Sequence, residues 1–235
     1  MVKLSKSWIV GFLSIILALC SIFFLPNIVP THYDLAGNID SWGSKYTNLV
    51  FPALIIVMII VFALIQKSLN KASLSDNNVD KNEAYKKTNT RVIDIVSLLV
   101  SCLFFIIQLF VYINQIAITN KTGSLMISAN SIISVSSAAF GLLLIAIGNY
   151  MPKTKRNGVI GIRTKWSMYN DNTWNKSNLF GAVVFEIIGI ITIVVSFTLN
   201  KLYLLICVVS LVVVAAIIIT VYSYIVFKKV LNSKQ

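Results

Sequence analysis

GNYMPKTKRNGVIGIRTKWSMYNDNTWNKSN, residues 148–178, is the stretch around which the chain falls into place. It carries six cations (Lys153, Lys155, Arg156, Arg163, Lys165, Lys176), one acid (Asp171), the tryptophans Trp166 and Trp174, and the glycines Gly148, Gly158 and Gly161. Apolar runs flank it on both sides, roughly 128–148 and 179–199. Each matches the about 20 residues that an α-helix needs to cross a hydrocarbon core. A basic, patterned segment between two such runs is the connecting loop of a membrane protein, and its charge bears on which side of the bilayer it lies.

Working outward, composition agrees. Of the 235 residues, 57% are hydrophobic and 12% charged, against about 45–50% and about 25% for soluble domains. Six runs are long enough to span: roughly 8–25, 49–67, 92–117, 128–148, 179–199 and 202–227. The third is interrupted by Asp94, Gln108, Asn114 and Gln115. The fourth is rich in small residues, and Ser137 and Gly141 have the spacing that lets helices approach closely. The fold class expected is an all-α polytopic membrane protein with six transmembrane helices.

Lysine and arginine mark the cytoplasmic side of a membrane protein. With the N-terminus inside, 17 of the 20 cations fall on the cytoplasmic side and only Lys45, Lys121 and Lys201 lie outside. Both termini are therefore expected in the cytoplasm. The net charge of +12 becomes mainly a topology signal facing anionic lipid, not a footprint for nucleic acid. Lys3 and Lys6 before the first run resemble a secretory signal, but the run is long enough to span and no small-residue cleavage site follows, so it is read as an uncleaved first helix. Cys20, Cys102 and Cys207 sit in apolar runs without CxxC spacing and are expected to be packing residues.

The longest external segment, 26–48, is patterned. Pro26 and Pro30 stop the first helix. Ala36-Gly37-Asn38 and Trp42-Gly43 are turn signals, and Tyr33, Trp42 and Tyr46 suit the headgroup level. The division expected is 1–70 as an N-terminal helix pair with this outer loop, 71–91 as a solvated cytoplasmic linker with room for a helical extension, and 92–235 as a four-helix region holding the loop 148–178. Within that loop Pro152, Gly158 and Gly161 set turns, Arg163 has the fork for a phosphate or carboxylate, and Asp171, Asn172 or Thr173 is placed to cap the fifth helix. A positive-inside loop with two interfacial tryptophans accounts for the charges, though not for the glycines or the many asparagines.

Two sets of residues then resemble a known family. Gly148-Asn149, Pro152-Lys153, Lys155, Asn157, Gly161-Ile162-Arg163-Thr164, Trp166 and Trp174 are similar to the signature of the SdpI family, membrane immunity proteins against the sporulation-delaying peptide toxin of bacilli. Pro26, Pro30, His32-Tyr33, Gly37, Asp40, Trp42 and Lys45 resemble the small domain of unknown function that often precedes that signature. The chain departs from the pattern at Lys165, where relatives commonly have proline, and at Ser177-Asn178, where they commonly have Thr-His; a histidine role there is closed to this protein. The resemblance implies immunity against a secreted hydrophobic peptide toxin, met at an outer loop of Pro30, His32, Gly37, Asp40, Trp42 and Lys45 or in a groove within the bundle. It also implies a second role, holding a cytoplasmic helix-turn-helix repressor at the membrane. Asn149, Pro152, Asn157, Gly161, Arg163, Thr164, Trp166 and Trp174 would dock that partner or brace the bundle.

Ionisable groups inside spans are candidates in their own right. Glu186 lies about 12 Å along the fifth helix; it is protonated, or partnered by a residue such as Gln108 or Asn114, or it serves a small transporter or channel, the alternative function. Asp94 sits near the cytoplasmic edge with Arg91 and Lys87 within a turn or so. His32 with Asp34 and Asp40 makes at most a weak metal site; a structural loop histidine is the simpler reading. There is no Ser/His/Asp set, HExxH or Walker loop, so neither an enzyme nor a cofactor is expected, and the partners expected are the toxin, the repressor and membrane lipids.

Overall fold

The computed structural model describes residues 6–34, 38–72, 79–119 and 129–233. It contains six helices long and apolar enough to cross a membrane: α1 (Ser7–Phe24), α2 (Val50–Ala72), α3 (Val79–Thr119), α4 (Ala129–Tyr150), α5 (Asp171–Thr198) and α6 (Lys201–Asn232). The chain is a multi-pass membrane protein. Its large apolar side chains point outward along every span, among them Phe12, Leu64, Ile190 and Val213. Those surfaces belong to lipid, which is as apolar as the side chains themselves.

The helices pack as two groups. α1, α2 and α3 contact one another, α4 packs most closely on α5 and α5 on α6, and α3 against α4 joins the groups. The α4–α5 seam is set by glycine. A Cβ on Gly141 would lie 2.6 Å from the Gly189 carbonyl oxygen, and one on Gly189 equally close to that of Gly141. One turn-pair along, Gly148 rests on the Ala182 carbonyl in the same way, at 2.8 Å. The close-approach residue Gly141 thus meets a glycine across the seam.

Two segments differ from the sequence reading. The outer loop between α1 and α2 is an antiparallel hairpin, β1 (Ile28–Tyr33) with β2 (Ile39–Ser44), followed by a 3-10 turn at Lys45–Leu49. Pro30 obscured the strand in the sequence, because proline cannot donate to a ladder; here it pairs with Trp42 next to a register shift. Residues 79–91, read as part of a solvated linker with room for a helical extension, are the opening turns of α3, a single helix of 41 residues. Glu83, Lys87 and Arg91 of this charged stretch are exposed, so helical periodicity shows little apolar face there.

Candidate functional site

Both patterned segments form built structures, at opposite ends of the bundle. The segment between α4 and α5 begins with a 3-10 turn, Met151–Lys153, that contains Pro152. Asn157 then folds the chain back on itself. Its Oδ1 accepts from the backbone N–H groups of Val159 (2.7 Å) and Ile160 (2.8 Å), and its Nδ2 donates to the carbonyls of Lys155 (2.7 Å) and Ile160 (3.2 Å). Gly161 follows with φ +100°, left-handed backbone that suits glycine. Thr164 and Ser167 form a second knot: Ser167 Oγ donates to the Ile162 carbonyl at 2.6 Å, and Thr164 Oγ1 accepts from the Ser167 N–H at 3.0 Å.

Trp174 is the post on which this loop hangs. It is 1% exposed, and its indole N–H donates to the Thr154 carbonyl at 3.0 Å. Beside it, Asn178, fully buried, accepts from the Ile162 N–H at 2.9 Å and donates to the Trp174 carbonyl at 3.0 Å. A Cβ on Gly161 would meet both side chains, 2.7 Å from Asn178 Oδ1 and 2.8 Å from the indole. The cap of α5 is Asn170, one residue before the expected candidates. Its side chain accepts from Thr173 N–H while Thr173 reaches back, a reciprocal box. Asp171 is therefore the first helical residue, where an acid suits the helix dipole, and it pairs with Arg156 at 2.9 Å.

The loop also grips its neighbours. Asn89 of α3 makes a two-point contact with the Lys155 backbone, at 3.2 and 2.9 Å. Trp166 packs edge-on against Tyr224 of α6, and Tyr169 against Phe227. Arg163 and Lys165 are exposed and make no hydrogen bond or ion pair among the described residues. Asn149 is exposed and accepts from Lys153 Nζ at 3.3 Å. So the predicted signature separates into a hydrogen-bonded frame around the buried Trp174 (half-buried Asn157 and Thr164, with Gly161 at the turn between them) and an exposed rim (Asn149, Arg163).

At the other end the hairpin is tied to the bundle by a buried polar chain. Gln108 of α3 exchanges hydrogen bonds with Ser14 of α1 and donates to the Tyr112 hydroxyl at 3.1 Å. Tyr112 donates to the Asn48 carbonyl at 2.7 Å, Asn48 Nδ2 to Gln115 Oε1 at 2.8 Å, and Gln115 Nε2 to the Pro30 carbonyl at 3.1 Å. Asn114 Nδ2 donates to the Tyr33 hydroxyl at 3.0 Å. Burial holds that phenol above its ordinary range, and the Asn114 bond acts in the opposite direction. These amides explain the polar interruptions of the third span. Neither Gln108 nor Asn114 partners Glu186.

Among the outer-loop candidates, His32 Nδ1 lies 2.6 Å from Asp40 Oδ1 across the strands. Asp34 turns instead to Asn38, accepting from its backbone N–H at 2.8 Å. Lys45 Nζ reaches the Leu25 carbonyl at 3.4 Å, closing the end of α1. Trp42 is half exposed, and Gly37 lies outside the described residues. Beneath the hairpin is a pocket of about 440 Å³ lined by Pro30, Tyr33, Val50, Phe51, Val111 and Ile133, with Asn48 and Gln115 as its polar floor.

The two intramembrane acids are apart. Glu186, half-buried, lies against Gly148 on the α4–α5 seam. Asp94 accepts from Gln66 of α2 at 2.7 Å, a partner that spacing within one helix could not reveal. Asn178, Asn89, Asn48 and Gln66 were missed as site residues for that reason: each acts between elements.

Residues 153–223 match the model of the SdpI/YfhL protein family, and residues 9–56 match DUF1648, a domain of unknown function. The immunity protein SdpI of Bacillus subtilis (strain 168) is 34% identical over 94 residues, 40% of this chain. The match covers 45% of that relative's length. No solved structure matches the chain.

Proposed function

We propose that this chain, which carries an SdpI/YfhL-family region behind a DUF1648 region, is a membrane immunity protein that protects its cell from a secreted hydrophobic peptide toxin. The observation that carries the reading is the likeness to an immunity protein together with both family regions in one chain. A pocket under the hairpin supports a place for the toxin on this reading. The hairpin stands on the expected outer side, over a pocket whose walls are mainly apolar and whose floor offers Asn48 and Gln115. An apolar side chain of a membrane-active peptide would fill it.

Expression in a toxin-sensitive strain raises survival on this reading. Ile133→Trp, which fills the pocket, lowers survival at unchanged membrane level. Unchanged killing at good expression of the unmodified chain counts against immunity itself; protection that Ile133→Trp leaves intact counts against the pocket alone.

The exposed rim supports a second role, docking of a cytoplasmic helix-turn-helix repressor when toxin is bound. Arg163 and Lys165 are free to meet an acidic surface. Trp174 presents no surface to a partner, so the discriminating variant is Arg163→Ala with Lys165→Ala. A tagged repressor moves to the membrane with toxin in the unmodified chain and stays soluble with this variant; one that stays soluble throughout sinks the idea.

A further inference from the structure

The seam between α3 and α4 opens, at the end that holds the 148–178 loop, into a cleft of about 430 Å³. Three cations converge on it from two elements: Lys87 and Arg91, one turn apart on α3, and Lys153 from the turn after α4. Lys153 is steered by Asn149 Oδ1 at 3.3 Å and by the Tyr150 ring, whose centroid is 4.4 Å from Nζ. No carboxylate lines the cleft. Glu83 and Asp94 border the neighbouring groove, where Asp94 is held by Gln66. The same helix adds hydrocarbon to the lining: Val92, buried, and Ile95, half-buried, lie within about one turn of Arg91.

We propose that this cleft is a binding site for an anionic phospholipid, with the headgroup phosphate among Lys87, Arg91 and Lys153 and the glycerol and first acyl carbons on Val92 and Ile95. Three positive charges without a lining acid call for an anion, and arginine binds phosphate through a fork. Basic pockets between transmembrane helices at the cytoplasmic side are suited to acidic headgroups. The hydrocarbon lining distinguishes a lipid from free phosphate, which has no use for it. The site lies where the two helix groups meet, so a bound lipid would also seal that junction. The proposal is independent of the immunity reading.

The full-length chain, purified and delipidated in detergent, tests it. Phosphatidylglycerol raises the thermal midpoint in a dose-dependent way, whereas phosphatidylcholine and sn-glycerol 3-phosphate do not. The triple variant K87Q/R91Q/K153Q weakens the phosphatidylglycerol response at least tenfold; K176Q/K228Q/K229Q, which removes the same charge elsewhere, does not. An equal response to phosphatidylcholine, an equal response to glycerol phosphate (a free-phosphate site), or equal losses in the two triple variants overturns it. Should K87Q/R91Q/K153Q fail to fold, a photo-crosslinking phosphatidylglycerol on the unmodified chain decides: adducts within 87–95 and 150–153 support the site, and adducts confined to other segments overturn it.

Discussion

Gly161 shows how little freedom the 148–178 loop has at single positions. With φ +100° and two buried side chains within 3 Å of its missing Cβ, Gly161→Ala meets both backbone strain and a clash, together on the order of 1–3 kcal/mol. Gly158 has nothing within 4 Å of its Cβ position, so Gly158→Ala stays within about 0.5 kcal/mol. Thermal unfolding in detergent checks the pair: a midpoint several degrees lower for the first and unmoved for the second. Asn178 carries a related lesson. Where the signature that this stretch resembles commonly has histidine, this chain uses an amide that accepts from Ile162 and donates to Trp174. A neutral imidazole also offers one acceptor and one donor, so the structural duty of that position survives the change. The glycine and tryptophan spacing was legible in the sequence as a specified loop. Which residues were frame and which were rim was not, because burial depends on α3 and α6 arriving from elsewhere in the chain.

At the scale of elements, the α4–α5 seam rests on backbone contact. Gly189→Leu places a branched side chain where the Gly141 carbonyl lies 2.6 Å from the Cβ position. Overpacking of this kind costs about 1–3 kcal/mol or more and forces the helices apart, with loss of the folded species in size-exclusion of the purified protein. A Leu at Gly43 is a milder test, since its neighbour is the movable Thr31 side chain. The spans themselves were readable from length and hydropathy, since lipid imposes the same demand on each. The hairpin was not. A six-residue strand containing proline gives no clear alternation, and its stability comes from Gln115 and Asn114, 85 and 81 residues from their partners Pro30 and Tyr33.

For the whole molecule, the distribution of cations predicts which end faces the cell interior. Ser41→Cys on the hairpin and Lys165→Cys on the 148–178 loop, each in a background lacking Cys20, Cys102 and Cys207, report it. A membrane-impermeant maleimide added to intact cells labels the first and spares the second; the reverse pattern inverts the topology. The two sites are at opposite ends whichever way the protein sits, since α3 reaches Pro30 through Gln115 and Lys155 through Asn89. That helix has a mechanical consequence. At 1.5 Å per residue its 41 residues make a rod of about 60 Å, held by amide clasps at Gln115 near one end and at Asn89, ten residues in from the other, and without a proline to bend it. A push or twist delivered to the hairpin therefore has one continuous helical path to the clasp on Lys155 and the basic loop.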